Sequence, residues 1–486
     1  MYCGYITTLN GLRKHSNADR LQCCEVFGQN VIVDLSYYDG QQVVFFPSDG
    51  QLSEEFANDN NLVRKKDENG NNVGGYLDPI KRNVTAVRLR GEKSEGLVLP
   101  IEVLSKYVDV NTLKIGEQIT VLNGHEICKK YIPRGNHRNR ANGTGNKARK
   151  IKVDVAPLFM EHADTEQLLY NMDAFKDGDL VEITLKCHGT SQRTGYLPRV
   201  VEMKPNNLLA ALGKNINPKQ KLGKLKRKLS DYYINHCHPI YDWGYVTGTR
   251  RTVLNDFTGG YYGNDEFRKP HTEFFEGKLH KGETVYYEVV GFTTTGVPIM
   301  SDASNKKTND KEFIKQYGDI TRFSYGCSPD GTGEPTLYWD DEKTEPAVVP
   351  IVPQSDFYVY RMTMTNEDGD VVEYTPDYMR YRCEQMGAKC VPKFCSFFIE
   401  EPDDYTSEWN PGEYVKLRAE EFYDGADPIG KTHIREGVVV RIVNRPKFTA
   451  YKYKNFNFRV IEGIAKSDAT APDMEEAEEL IKEEGN

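Results

Sequence analysis

The stretch LVEITLKCHGTSQRT, residues 180–194, opens as a strand and ends as something else. Val181, Ile183 and Thr184 are β-branched and Leu180 and Leu185 apolar, which suits a pleated segment with a buried face. The run stops at Lys186, and Cys187, His188, Gly189 and Thr190 follow. An isolated ammonium group is costly to bury, so a lysine at the end of a core strand calls for an anionic partner. Gly189 lets the chain turn sharply or approach a ligand closely. Lys186 is therefore held at a rigid strand end, beside a turn that a phosphate can approach. Alone, Lys-x-His-Gly is a short motif; its meaning depends on what the rest of the chain supplies.

A chain of 486 residues carries a length prior of about three domains. The hydrophobic share of 38% and charged share of 28% are those of an ordinary globular protein with ample core material. The longest apolar runs are strand-sized, so no membrane span is expected. The opening MYCGYITTLNGLRK has no apolar h-region, so no secretory leader is expected either. The ten cysteines are scattered without a C-x-x-C pair, as reduced thiols in a cytoplasmic protein would be. A net charge of −9 argues against nucleic acid only if the charge is evenly spread. It is not: basic residues gather in 129–152 and 214–233, and acidic ones in 475–484. Local patches decide phosphate binding.

Residues 1–130 read as β-structure. Val31–Leu35 and Gln42–Phe46 flank the turn Tyr37-Tyr38-Asp39-Gly40 and predict a hairpin. Asn123-Gly124, between two further apolar runs, is the strongest short hairpin signal. Short strands at this spacing predict a small barrel. Residues 13–21, RKHSNADRL, resemble the H-P-N-A-D-K-L stretch of tRNA-binding OB-fold modules, with Ser16 in place of the proline. Residues 131–152 form a basic, Gly/Asn-rich linker, 153–465 the main domain and 466–486 an acidic tail. Within the main domain, 165–172 predicts a short helix. Residues 214–233 predict a basic amphipathic helix with Leu222, Leu225, Leu229 and Tyr232 at helical spacing. A solvated face and a nucleic-acid contact both fit that helix.

Five later features could serve Lys186. WGYVTGTRRTVL, 243–254, places Arg250 and Arg251 in a β-branched strand. VYYEVVGF, 285–292, puts Glu288 mid-strand among apolar neighbours, where a carboxylate needs a partner. DFYVYRMT, 356–363, sets Tyr358 and Tyr360 on one strand face. REGVVVR, 435–441, is an apolar strand introduced by Glu436. TAYKYKNFNF, 449–458, points Lys452 and Lys454 to one face and Tyr451 and Tyr453 to the other. Adjacent like charges repel unless they share an anion. Polyphosphate would join the two lysines; an exposed, charged strand edge is the plainer alternative.

In order and spacing these motifs resemble the covalent nucleotidyltransferase superfamily of ligases and capping enzymes. They are most similar to nick-sealing RNA ligases whose first motif is Lys-x-His-Gly, in the clade with an N-terminal OB module. The resemblance covers most of residues 10–465. It implies an α+β protein: an OB-like β-barrel, then an ATP-grasp-like ligase domain of antiparallel sheets with flanking helices. It implies a monomeric, ATP-dependent RNA ligase using Mg²⁺ or Mn²⁺. Such an enzyme joins a 3′-OH RNA end to a 5′-phosphate end through lysyl-AMP, within nicked duplexes. By the same resemblance Lys186 is the nucleophile, and Lys452 and Lys454 contact the α-phosphate. Glu288 accepts from the ribose, Tyr360 rather than Tyr358 stacks on adenine, and Arg250 or Arg251 holds phosphate. Glu436 stands near metal and nucleophile, while His188, Gly189 and Thr190 complete the nucleotide site. A DNA ligase, a capping-type guanylyltransferase, or an RNA-binding protein with an inactive transferase domain are the alternatives. His188, in place of aspartate, tilts the reading toward RNA.

Overall fold

A computed structural model describes residues 2–48, 50–66, 72–131, 154–163, 165–214, 224–254, 264–300, 323–331, 352–401, 409–431 and 433–462, with a few residues between them. Most of the predicted basic linker, the acidic tail and the first part of the predicted basic helix lie outside the described residues.

Two sheets build the main domain. Strand β1 (Leu180–Leu185) shows why its sequence makes a strand: Val181, Ile183 and Leu185 are buried, while Glu182 and Thr184 point the other way. Further along the chain come β2 (Thr190–Pro205), β3 (Cys237–Gly248), β4 (Glu283–Gly291), β5 (Ser355–Thr365), β6 (Lys393–Phe398), β7 (Gly437–Ile442) and β8 (Thr449–Lys454). The first sheet runs β8-β7-β1-β6, with the short Glu166–Gln167 strand parallel beside β8. The second runs β3-β2-β4-β5, antiparallel throughout, with two-to-three-residue strands at its edges. Val438, Val440 and Ile442 of β7 meet the buried face of β1 in one core. The second core lies under β4 and β5, against helix Pro376–Met386.

The segment Lys186–Gly189 carries the chain from one sheet to the other. Lys186 N donates to Gly437 O at 3.0 Å, closing the end of β1. Thr190 then pairs with Val289 of β4. Between them, a Cβ at Gly189 would stand 2.3 Å from the Val289 carbonyl oxygen, so only glycine fits this close approach.

The N-terminal residues form several small sheets on a core of Ile6, Val44, Phe46, Leu52 and Phe56. Among the described residues no single closed barrel is found. The Asn123-Gly124 hairpin forms, both residues at positive φ, pairing Val121 with Glu126. The predicted pairing of 31–35 with 42–46 does not. Gln29–Asp34 pairs with Leu21–Val26 about a Phe27-Gly28 turn at positive φ, and Gln42–Pro47 lies between Gly4–Thr8 and Gly96–Pro100. The tight two-residue turn wins over the longer loop. His15 is a joint in this module: its Nδ1 accepts from Asn17 N and its Nε2 faces Leu89 O, while Glu92 binds Arg13 and Ser16 N. His15, Cys23 and Glu92 cluster within 4.8 Å, yet these protein contacts occupy both ring nitrogens and the carboxylate.

Two further expectations change. Residues 165–172 are a strand bridge and a 3₁₀ turn, not a helix, because Leu168 and Leu169 are drawn into the first core. The basic segment is a helix over Lys224–Asn235, but a second helix, Leu208–Gly213, precedes it. Gly213 lets the two cross closely, since a Cβ there would meet the Leu229 carbonyl oxygen at 2.1 Å.

The most deeply buried ion pair in the second core joins Glu283, fully buried, to Arg382, which donates twice at 2.8 Å; Tyr374 adds a hydroxyl at 3.1 Å. Burial opposes the Glu283 charge, but Arg382 outweighs it and holds the carboxyl below its ordinary range. Arg382→Met should therefore cost about 3–5 kcal/mol, because the carboxylate is stranded in the core. Lys269→Ala, at an exposed pair with Glu273, should cost under about 1 kcal/mol. Urea unfolding of the two variants checks this; equal midpoints would defeat it.

Candidate active site

The faces of the two sheets that carry Lys186 and Glu288 line an open cleft, about 760 Å³ counting the solvent space at its mouth. Lys186, on its lining, is paired with Glu436, the residue before β7, whose side chain is only 2% exposed. Lys186 Nζ lies 2.8 Å and Lys454 Nζ 3.1 Å from the same oxygen, Oε1. His188 Nδ1 stands 3.8 Å from Oε2. Burial opposes the carboxylate charge, but Lys186 and Lys454 outweigh it and hold Glu436 at about 2. The backbone is shaped for this: Gly437 has φ 142°, and a Cβ there would meet the Tyr453 carbonyl oxygen at 2.1 Å.

Strand register places the second lysine. Val439 pairs with Lys452, and Gly437 with Lys454. Cross-strand partners share a face, and Val439 lines the cleft. Lys452 thus shares the cleft face with Lys454. Strand β8 lies inside its sheet, between β7 and Glu166–Gln167, so the lysines do not mark an exposed edge. Tyr451 and Tyr453 pack on the opposite side, as the alternation predicts.

Strands β4 and β5 supply the facing wall. Glu288 lines the cleft opposite Lys186. Burial pushes its carboxyl up to about 7, against the pull of Lys186 and Arg250. Tyr360 also lines the cleft, at the register shift where β5 bulges against β4, and its hydroxyl lies 2.8 Å from Ser191 Oγ. Tyr358 does not line it; it packs in the core with its hydroxyl on Asp356. Arg250 reaches the cleft and Arg251 is not among its lining residues. Both arginines sit in the turn after β3, closed by Thr249 N to Thr252 O, rather than in the predicted strand.

Two predicted site residues stand behind the wall. His188 is buried between the ring edges of Phe323 and Phe458, and its N–H donates to the Tyr325 hydroxyl at 2.6 Å. Thr190 Oγ1 accepts from Arg268 at 2.7 Å, and Arg268 also donates to Ser191 O. These residues shape the turn; Lys186, Cys187, Arg250, Glu288 and Tyr360 face the cavity.

Sequence reading missed the inner end of the cleft. Phe448 lies there under two guanidinium groups, Arg361 at 4.7 Å and Arg441 at 5.0 Å, with the His162 ring at 5.6 Å. No local motif marks them. Glu182 and Thr184 also line the cleft, and their signal was present, since they precede Lys186 by four and two residues on one strand face. Glu182 is held by Arg380 at 2.6 Å and Lys393 at 3.5 Å.

For a divalent cation, Glu288 on the cleft lining and buried Glu436 behind Lys186 offer carboxylate oxygens, which suit hard ions such as Mg²⁺ or Mn²⁺. Among the described residues Glu436 Oε2 has no hydrogen-bond partner, and it is the oxygen such an ion or its water shell would take.

No family model matches this chain, and no curated protein matches its sequence. Solved structures do match. The fold is that of an RNA ligase. A lysine-to-methionine variant of Naegleria gruberi RNA ligase with AMP and Mn aligns over 95% of this chain and 98% of its own, at 14% identity and a TM-score of 0.52. The same ligase with PPi aligns over 94% and 98%, at 14% identity and a TM-score of 0.51. A glutamate-to-alanine variant with ATP and Mn aligns over 95% and 99%, at 14% identity and a TM-score of 0.52. The alignment spans the whole two-part architecture, the N-terminal sheets included.

The raised carboxyl of Glu288 has a consequence for the ligand-free protein. Its folded value of about 7 exceeds the ordinary value of 4.5. Its contribution is therefore full below pH 4.5 and is lost as pH rises through 7. Glu288→Gln should remove that loss, so that the variant gains on wild type between pH 5 and pH 8, by at most about 3 kcal/mol. Parallel urea-stability curves across that range would refute it.

Proposed function

We propose that this chain is an ATP-dependent RNA ligase acting through a covalent adenylate on Lys186. One observation carries the reading. Lys186 and Lys454 converge on one oxygen of buried Glu436, in a cleft whose opposite wall bears Glu288 and Tyr360. Two ammonium groups around one carboxylate leave a local positive charge that a triphosphate can match. The neighbours' bound AMP, ATP and Mn belong to the Naegleria protein and support the same assignment here.

The Lys186 ammonium first gives one proton to solvent, and the freed Nζ lone pair attacks the α-phosphorus of ATP. An N–P bond forms, the P–O bond to the β-phosphate breaks, pyrophosphate leaves, and a second Nζ proton passes to solvent. Lys454 already rests on Glu436, so the carboxylate keeps a partner when Lys186 turns to phosphate. Lys452 and Lys454 stabilise charge developing on the α-phosphate. Glu288 holds the ribose, Tyr360 packs on adenine and Arg250 contacts phosphate. A divalent cation near Glu436 and Glu288 would neutralise triphosphate oxygens when bound. In the second step an RNA 5′-phosphate oxygen takes AMP from Lys186. In the third, a 3′-hydroxyl attacks that phosphate and AMP leaves. A nick in a duplex presents both ends together, and the N-terminal residues 1–130 would act as an OB-like module holding that duplex. The proposed enzyme is a cytoplasmic monomer with its transferase domain over 153–465.

Incubation with labelled ATP and Mg²⁺ should place one AMP on the wild-type protein and none on Lys186→Ala. Lys454→Ala should fold yet adenylylate about 10²–10³-fold more slowly. A wild type that takes no label, or an alanine variant that labels equally, sinks the mechanism. Label from GTP alone would favour a capping-type enzyme. A panel of nicks with RNA or DNA on each side of the break fixes the substrate; sealing confined to DNA ends would make it a DNA ligase.

A further inference from the structure

Strands β2 and β3 extend well past the cleft. Strand β2 is backed by β4 only over Thr190–Gly195; from Tyr196 to Pro205 its only strand neighbour among the described residues is β3. The tip, helix α1 (Leu208–Gly213) and helix α2 (Lys224–Asn235), lies roughly 45 Å along the strand from Ser191. The two ends of this arm differ in kind. One end holds Ser191 and, just past β3, Arg250 of the cleft; the other is basic.

Residues 204–238 contain eight Lys/Arg and a single acidic residue, Asp231, in a chain of net charge −9. On α2, Lys226, Arg227 and Lys228 are consecutive and exposed, and none has a hydrogen-bond or ion-pair partner among the described residues. No acidic residue occupies the first turn of α2. Cations there oppose the helix macrodipole, so this arrangement weakens the helix it sits on. Mutual repulsion and an unfavourable dipole are what folding alone would avoid; a polyanion relieves both.

We infer that the α2 tip of this arm grips the phosphate backbone of the RNA duplex, about a dozen base pairs from the break. This rests on the ligase reading for the position of the break, but not for the contact itself. The charge complementarity decides for phosphate over a protein partner, although Leu208 and Leu225 are also exposed, at 89% and 73%. Backbone contacts position a duplex without reading its sequence, so the tip would set register and affinity, leaving chemistry to the cleft.

The test uses the full-length triple variant Lys226→Glu/Arg227→Glu/Lys228→Glu and hairpin-capped nicked RNA duplexes with flanks of about 8 or about 24 base pairs. Binding is followed by fluorescence anisotropy without ATP, over a salt series. Wild type should bind the long-flank duplex at least tenfold more tightly than the variant, and the variant's salt slope should fall by about 2 to 3. On the short-flank duplex the two proteins should bind alike. Self-adenylylation with labelled ATP should be equal in both, which also shows that the variant folds. Leu208→Ser/Leu212→Ser should bind the long duplex as wild type does. Equal binding of both flank lengths by the charge variant and wild type overturns the inference. So does loss of binding in the leucine variant alone, which would point to an apolar partner. If neither protein takes AMP, the ligase reading fails, while length-dependent binding still decides the tip.

Discussion

The structure turns on one oxygen atom. Glu436 Oε1 takes both Lys186 and Lys454, and the buried carboxylate is tolerable because a lysine pairs it. Either lysine alone would leave a bare cation in a cleft wall, and the glutamate alone a bare anion. The three residues sit at positions 186, 436 and 454 and meet because β1, β7 and β8 are adjacent in one sheet. The register is tied at the same spot: Lys186 N bonds to Gly437 O, and Gly437 pairs with Lys454. A slip by one residue would send every side chain of a strand to its other face and scatter the site.

Behind that oxygen lies a layer of buried rings. His188, Phe323, Tyr325, His433 and Phe458 contact one another ring against ring. Burial lowers the His433 imidazole to about 3 and so keeps it neutral. A low-dielectric wall on one side strengthens every charge on the other. It also fixes the Lys186–Gly189 crossover, since the His188 amide is bonded to Tyr325 in that layer. The motif histidine thus belongs to the support of the carboxylate, and an aspartate would place a charge among those aromatic rings.

The sequence made the strand-borne residues legible and the turn-borne ones less so. Lys452 and Lys454 could be placed on one face because period-two alternation fixes where a strand residue points. The same rule put Tyr358 beside Tyr360, and the bulge at Tyr360 separates them; Glu288, Tyr360 and Glu436 were singled out by the family resemblance. Arg250 was read as part of a strand, and its turn is closed by two Thr249–Thr252 hydrogen bonds that composition does not reveal. Phe448, Arg361, Arg441 and His162 were invisible for a different reason. They meet through contacts between elements far apart in the chain, and none lies in a motif. In the N-terminal module strands such as Gln42–Pro47 and Gly96–Pro100 were legible, but Gly4–Thr8 and Leu21–Val26 were not, and the pairing was misread because a Phe27-Gly28 turn outcompeted the more polar loop at Tyr37–Gly40.

Net charge is the last quantity that misleads when averaged. The whole chain carries −9, yet residues 204–238 hold eight Lys/Arg and one acidic residue. Binding of an anion is decided by local patches, so a negative total and a basic arm are compatible. The same contrast holds at atomic scale around Glu436, where one buried carboxylate holds two lysines together.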